Sequence, residues 1–240
     1  MSKYPVVILH GWNLYSEKYQ ILRSTLVKEG FKVYIPDLPG FGKRIVPKTA
    51  YNIDDYVDFV LDYLKSNKIK KCIIIGHSFG GRVAVKLAAR YPYYLDRLIL
   101  TGTPGFVPVN KARITVFYLI AKIGKILLFF LPPLLIFKNT LRKIIYRLAK
   151  SSDYLHVEGV MKDTFKSVIK EDLISSMLKI KTPTLLVWGK DDRIVPVSIA
   201  QKMESAIIAS SLTVIPNASH KVPYQDPDKF YLSIRKFISK

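Results

Sequence analysis

The sequence predicts an α/β fold in which a mostly parallel central sheet is flanked by helices. Six short apolar runs are rich in β-branched residues and do not alternate with polar ones, which is typical of strands buried on both faces. Helical patterns separate most of these runs, and this alternation favours a parallel sheet. Apolar residues make up 49% of the 240 positions, so one domain can bury a full core.

The elements follow one another in a regular order. The predicted strands are 6–9, 32–37, 72–76, 97–102, 184–189 and 212–216. The predicted helices are 16–29, 52–66, 79–91, 197–208 and 226–239. Asp226 is a candidate N-cap residue for the last helix, and Pro227 suits its first position.

The order is interrupted once, between Gly102 and Thr182, where we find no convincing strand. The composition of this segment is helical. Because the sheet pattern resumes at Thr184, the sequence predicts a core formed by residues 1–104 and 182–240, with a helical insertion at 105–181.

The insertion is both apolar and basic. Residues 106–150 contain nine Lys or Arg and no Asp or Glu. Lys122 and Lys125 interrupt its apolar run at 114–137, which disfavours a membrane-spanning helix. Three interpretations stay open: an apolar face packs on the core, it lines a pocket for an acyl or alkyl group, or it also lies on an anionic bilayer.

The whole chain carries a net charge of +20. A lysine-rich soluble surface, a membrane surface or an acidic partner would each suit this charge. No nucleic-acid-binding motif is present, so we expect no nucleic-acid partner. The single cysteine, Cys72, excludes an intramolecular disulfide. With no signal-peptide pattern before the first strand, we expect a cytoplasmic protein, with peripheral membrane contact as an alternative.

The sequence "GHSFG", residues 76–80, lies between a buried strand and an apolar helix pattern. In that context a serine occupies a tight turn with its Oγ above the sheet. Gly76 and Gly80 leave space that other side chains would fill. Ser78 is therefore the candidate nucleophile, and the alternative is a glycine-rich turn that contains a serine by chance.

A serine nucleophile needs a base, and the base needs an orienting acid. The chain has four histidines: His10, His77, His156 and His220. His220 is the best candidate base, because its loop follows the last strand and can approach Ser78. Asp191 and Asp192 directly follow the strand at 184–189, and either could be the acid. The order serine, aspartate, histidine is one that this kind of fold uses.

The sequence "HGW", residues 10–12, follows the first strand. A turn here can direct the backbone N–H of Trp12 towards the serine. With the N–H of Phe79 it would form an oxyanion hole, in which each donor is worth about 3 kcal/mol. Alternatively, His10 and Trp12 pack in the core.

These motifs together resemble the α/β-hydrolase fold family. "HGW" is similar to its oxyanion motif, "DLPGFGKR" to the loop after the next strand and "GHSFGG" to its nucleophile elbow. "WGKDDRIVP" is similar to its acid loop, and "ASHKVPYQDP" to its histidine loop. The resemblance implies that Asp192 is the acid, and that the insertion is the family's variable cap. Asn13 and Ser219 stand where family members often have glycine.

A serine at the elbow implies the esterase, lipase, thioesterase, peptidase or carbon–carbon hydrolase branches. The resemblance thus implies a serine hydrolase that cleaves an ester or thioester with an apolar portion through an acyl-enzyme. A carbon–carbon bond hydrolase and a ligand receptor with vestigial hydrolysis are the alternatives. No metal-ligand cluster or suitably placed phosphate-binding loop is seen, so we expect neither metal nor cofactor.

Overall fold

The structure is a computed structural model, and it describes residues 4–106 and 158–239. Its six strands are β1 (Val6–Leu9), β2 (Val33–Tyr34), β3 (Cys72–His77), β4 (Leu95–Thr101), β5 (Thr184–Gly189) and β6 (Ser210–Ile215). They form one sheet in the order β2-β1-β3-β4-β5-β6, and every neighbouring pair is parallel. The predicted α/β fold with a parallel central sheet is confirmed.

Helices connect the strands on both faces of the sheet. They are α1 (Gln20–Lys28), α2 (Ile53–Ser66), α3 (Phe79–Arg90), α4 (Gly159–Lys170), α5 (Ile174–Met177), α6 (Val197–Ala206), α7 (Val222–Gln225) and α8 (Pro227–Ile238). Helices α1 and α8 pack together on one face, while α3 contacts α2 and α5 on the other. Short 3-10 helices at Ser16–Tyr19 and Pro92–Tyr94 precede α1 and β4.

The central strands are buried on both faces, as their unbroken apolar runs predict. All residues of β1, β3 and β5 are buried. In β1, Val6 and Ile8 join the same core cluster as Ile73 and Ile75 of β3, their partners in register. Alternate strand residues therefore face the α1 and α8 layer. Because all neighbouring strands are parallel, their carboxyl ends lie at one rim of the sheet.

Strand β2 and the start of helix α8 differ in detail from the sequence prediction. Strand β2 is shorter than the predicted strand 32–37, because Pro36 lacks an N–H for the ladder and Asp37 is used in a loop. Helix α8 does begin at Pro227, but Asp226 makes no side-chain capping hydrogen bond. Its carboxylate lies 3.8 Å from the Lys229 ammonium instead.

Most of the predicted cap, residues 107–157, lies outside the described residues, and so does His156. The domain boundaries and the role of the basic apolar run therefore stay predictions. Helices α4 and α5 are the described part of this segment, and the N–H of Leu173 between them donates to the carbonyl of Gly105 at 3.2 Å. Within 4–106 and 158–239, no helix combines the length and apolar character needed to cross a membrane.

Candidate active site

Ser78 occupies a strained turn between β3 and α3. Its backbone has φ 51° and ψ −114°, a region that residues other than glycine rarely adopt. Its N–H donates to the carbonyl of Thr101 at the end of β4, at 2.9 Å, and its carbonyl accepts from the N–H of Gly81 at 3.0 Å. The turn is thus fixed to both the sheet and the following helix, and its serine is only partly buried.

Glycines around the turn permit very close backbone packing. A Cβ at Gly80 would lie 2.2 Å from the carbonyl oxygen of Leu9, and one at Gly76 would lie 2.7 Å from the Cα of Gly81. Real side chains do not tolerate such distances without displacing the backbone. Helix α3 can therefore start directly against the carboxyl end of β1, which brings its free N–H groups to this rim.

His220 and Asp192 form a buried hydrogen-bonded pair. The Nδ1 of His220 donates to Oδ2 of Asp192 at 2.8 Å. The other carboxylate oxygen, Oδ1, accepts from the N–H groups of Ile194 at 2.9 Å and Val195 at 2.7 Å. Both carboxylate oxygens are used, so the orientation of the pair is fixed. Because a carboxylate only accepts, Nδ1 carries the proton, and in the neutral tautomer that this bond selects Nε2 is the acceptor.

The neighbouring Asp191 is placed differently. Its side chain is exposed, and its N–H donates to the carbonyl of Ala218 at 2.9 Å. A Cβ at Gly189 would lie 2.3 Å from the same carbonyl oxygen, so the end of β5 lies tightly against the loop that carries His220. The structure thus pairs Asp192, the acid that the resemblance implies, with His220.

Ser78 and the His220 ring both lie against the end of β4. The carbonyl of Thr101 accepts from Ser78, and a Cβ on the next residue, Gly102, would lie 2.7 Å from the His220 ring. In the structure, Ser78 and His220 are not hydrogen-bonded to each other. The three candidate residues thus lie at the carboxyl ends of β3 and β5 and in the loop after β6.

Two backbone donors lie beside Ser78. Within the described part of the chain, the N–H groups of Trp12 and Phe79 have no hydrogen-bond acceptor, although both residues are buried. The N–H of Gly80 donates to the carbonyl of His10 at 3.0 Å, which holds the loop after β1 against α3. Asn13 in this loop has φ 54°, a left-handed conformation that asparagine tolerates better than most residues. The substitution of asparagine for the family's frequent glycine therefore preserves the turn.

His10 is fully buried and shapes this loop. Its Nε2 accepts from the N–H of Leu38 at 2.9 Å, and its Nδ1 donates to the carbonyl of Gly11 at 2.9 Å. Burial lowers the pKa of His10 below its ordinary value, so the ring stays neutral. The ring belongs to the core, and it also joins the loop after β1 to the loop after β2.

An aromatic cluster surrounds the Trp12 indole. Its ring makes edge contacts with Phe41 at 4.8 Å, Phe79 at 5.2 Å and Phe165 at 4.9 Å between ring centroids. Phe165 comes from α4, in the segment predicted as the cap. The sequence analysis did not identify Phe41 or Phe165 as site residues, because no local spacing links them to Trp12. The cluster provides apolar surface next to the two backbone donors.

The described residues contain no group of three or more His, Cys, Asp or Glu that could hold a metal ion.

The chain is similar to known proteins along nearly its whole length. A family model described as "Serine aminopeptidase, S33" matches residues 2–228. The AB hydrolase superfamily protein YisY of Bacillus subtilis is 28% identical over 258 residues, which cover 97% of this chain and 91% of that protein. A pimeloyl-acyl-carrier-protein methyl ester esterase of Shewanella woodyi is 28% identical over 249 residues, with 98% and 94% covered.

Among solved structures, the fold is similar to that of an esterase from Exiguobacterium antarcticum. The TM-score is 0.76 at 23% sequence identity, and the match covers 100% of this chain and 93% of that one. The resemblance predicted from the motifs is confirmed by these matches. The chain belongs to the family that the matching model describes, and it is an α/β-hydrolase enzyme.

Proposed function

We propose that this protein is a serine hydrolase that cleaves an ester or thioester with an apolar portion. The observation that carries the proposal is the buried 2.8 Å hydrogen bond between Asp192 and His220, whose imidazole lies beside the turn that presents Ser78. A base oriented by a carboxylate next to a serine on a strained turn is the arrangement that activates a hydroxyl nucleophile.

The reaction has two steps. In the first, the Oγ of Ser78 bonds to the carbonyl carbon while its proton moves to Nε2 of His220. The tetrahedral intermediate then collapses, the bond to the leaving alcohol or thiol breaks, and the proton passes to that leaving group. In the second, water adds to the acyl-enzyme with His220 again taking the proton. The bond between the acyl carbon and Oγ of Ser78 then breaks, the carboxylic acid leaves, and His220 returns the proton to Oγ.

The developing negative charge on the carbonyl oxygen needs stabilisation. The free N–H groups of Trp12 and Phe79 are suited to donate to it, and each donor of this kind lowers the barrier by about 3 kcal/mol. Phe79 is also the first residue of α3, so the positive end of the helix dipole points to the same place. Because backbone groups are fixed by the fold, they need no reorganisation during the reaction.

The apolar portion of the substrate is inferred from the neighbourhood of these donors. The aromatic rings around Trp12 offer surface to an acyl or alkyl group rather than to a charged one. The Shewanella relative is named for a methyl ester, which supports an ester over a peptide. A carbon–carbon bond hydrolase and a ligand receptor are the competing functions, and turnover assays with different substrates distinguish them.

The test is turnover of a series of p-nitrophenyl esters and acyl thioesters by the wild type, by Ser78→Ala and by a control, Ser66→Ala. Ser66 is the last residue of α2, at an exposed position before β3 begins at Cys72, whereas Ser78 follows the carboxyl end of β3. We expect repeated turnover in the wild type and the control, and none above background in Ser78→Ala. Equal activity in Ser78→Ala would contradict the mechanism.

Two other outcomes would favour the competing functions. A single slow turnover that leaves the ligand bound indicates a receptor. Cleavage of a 1,3-diketone that depends on Ser78, with no hydrolysis of esters or thioesters, indicates a carbon–carbon bond hydrolase.

A further inference from the structure

A buried tyrosine–histidine pair lies behind the proposed catalytic groups. The Tyr19 hydroxyl and Nδ1 of His77 are 2.7 Å apart. Nε2 of His77 lies 3.0 Å from the backbone carbonyl oxygen of His220. The N–H of Gly11 donates to the Tyr19 hydroxyl at 3.3 Å. Both side chains are at most 1% exposed, and the mechanism above uses neither of them.

The hydrogen bonds from Gly11 to Tyr19, from Tyr19 to His77 and from His77 to the carbonyl of His220 form one chain, which we call the relay. The direction of each bond follows from the groups involved. The carbonyl of His220 can only accept, so Nε2 of His77 carries the proton. A neutral ring then accepts at Nδ1, so Tyr19 donates its hydroxyl proton there. The tyrosine oxygen remains free to accept from Gly11. Every donor in the relay therefore has one acceptor, and only one protonation arrangement satisfies it.

Burial makes that arrangement persistent. Desolvation, with a smaller contribution from the nearby His220 as a potential like charge, lowers the pKa of His77 to about 3. Desolvation also raises the pKa of Tyr19. Both groups thus stay neutral through the pH range in which a serine hydrolase works.

The relay includes a residue next to Trp12, a residue next to Ser78 and the backbone of His220. Gly11 precedes Trp12, His77 precedes Ser78, and the last acceptor belongs to His220 itself. Packing is also tight, because a Cβ at Gly11 would lie 3.1 Å from Nδ1 of His77. The His77 and His220 rings are 5.0 Å apart between centroids.

We propose that Tyr19 and His77 are positioning residues, which hold the loop after β1, with the N–H of Trp12, and the loop that carries His220 at fixed distances from Ser78. This inference rests on the proposed function. It adds to it the means by which three separate loops keep one geometry. Small displacements of reacting groups lower rates strongly, so loss of the relay should lower kcat more than it changes KM.

The first test is Tyr19→Phe, which removes the hydroxyl and keeps the ring. We expect kcat for a p-nitrophenyl ester to fall about tenfold and KM to stay within about twofold, per active site counted by titration with a fluorophosphonate. The control is Thr184→Val, which removes a buried hydroxyl hydrogen bond, 2.8 Å to the carbonyl of Thr182, at the opposite end of the sheet.

The control separates positioning from stability. Thr184→Val should lower the thermal midpoint and leave kcat unchanged. A purely structural pair would make Tyr19→Phe behave in the same way. Wild-type kcat in Tyr19→Phe would therefore overturn the proposal, whether or not its thermal midpoint falls.

The second test compares His77→Gln with His77→Leu. The glutamine amide offers an acceptor oxygen and a donor NH₂ group on the same carbon, in nearly the spacing of the two ring nitrogens. We expect His77→Gln to keep most of the kcat and His77→Leu to lose about tenfold or more. In the double variant Tyr19→Phe/His77→Leu, the loss of kcat should equal that of His77→Leu alone, because both changes break the same relay. Additive losses, or no rescue by glutamine, would overturn the proposal.

The outcomes also distinguish this proposal from the one on which it rests. If the fluorophosphonate does not label Ser78 in the wild type, the proposed function fails and the positioning role fails with it. If Ser78 is labelled and esters turn over, but Tyr19→Phe and His77→Leu match the wild type in kcat, only the relay is wrong.

Discussion

The carboxylate that orients His220 is one of two adjacent aspartates. Asp192 has both oxygens in hydrogen bonds, one of them to the imidazole. Asp191 has its side chain in solvent. This difference of one position along the chain decides which residue can fix the tautomer of the base.

Asp192→Asn should therefore lower kcat about 10³- to 10⁴-fold, because an amide nitrogen facing Nδ1 favours the wrong imidazole tautomer. Asp191→Asn is the matched control and should retain wild-type kcat. The measurement is steady-state ester hydrolysis, with urea unfolding to confirm that both variants fold. Comparable losses in the two variants would contradict the assignment of the acid.

The backbone at the end of β4 sets the place of the His220 ring. Gly102 has φ 56° and leaves no space for a Cβ, which would lie 2.7 Å from the ring. Gly102→Ala should thus displace His220 and reduce kcat at least about tenfold. Gly159→Ala is the control, since Gly159 has φ 57° but a Cβ there meets no described atom within 4 Å. If Gly102→Ala loses no more kcat than Gly159→Ala, a Cβ at Gly102 does not act by displacing His220.

At the scale of elements, one buried arginine joins α3 to both ends of the inserted segment. The guanidinium of Arg82 donates to the carbonyls of Pro104, Val168 and Glu171. Burial lowers its pKa to about 10, and nearby carboxylates oppose this effect. The helix that begins at the nucleophile is therefore fixed to the segment where the insertion leaves the core and to the one where it returns.

Arg82→Met should lower the free energy of unfolding by about 3 kcal/mol, because buried carbonyls lose their donors. Arg90→Met, on the same helix, removes a half-exposed ion pair with Asp54, at 2.6 Å, and a contact with the Tyr91 ring, and should cost about 1 kcal/mol or less. Urea unfolding followed by circular dichroism measures both. A smaller loss for Arg82→Met than for Arg90→Met would contradict the anchoring role.

At the scale of the whole molecule, two buried neutral histidines link stability to pH. Burial lowers the pKa of His10, and burial lowers the pKa of His77 to about 3. Above the ordinary pKa of about 6.5, both are neutral in the folded and unfolded states and contribute no pH dependence. Below it, the unfolded chain binds protons that the folded chain excludes, so stability falls as the pH falls towards 3.

The free energy of unfolding should therefore decrease from pH 6.5 to pH 4.5, by up to roughly 1 kcal/mol per pH unit for each histidine. Against the effect of burial, hydrogen bonds lower the pKa of Asp37, and Lys86 and Arg90 lower the pKa of Asp54, so these carboxylates contribute mainly below about pH 5. Urea unfolding at several pH values measures the slope, which should be smaller in His77→Gln. An unchanged slope in that variant would show that His77 is not the group excluded from protonation.

The sequence predicted the parts of this molecule that depend on local patterns. Buried strands have unbroken apolar runs, and the serine turn requires glycines at fixed positions beside Ser78. Position at strand ends singled out His220. The relay was not predictable, because Tyr19 and His77 are 58 positions apart and His77 and His220 are 143 apart. No local periodicity relates residues that only the packing of three loops brings together.

If Ser78 is the nucleophile, a fluorophosphonate must form a covalent bond with its Oγ. The protein is incubated with a fluorophosphonate probe, digested, and the modified residue is mapped by mass spectrometry. We expect one modified residue, Ser78, with labelling lost in Ser78→Ala and retained in Ser66→Ala. Modification of a different residue, or undiminished labelling of Ser78→Ala, would contradict it.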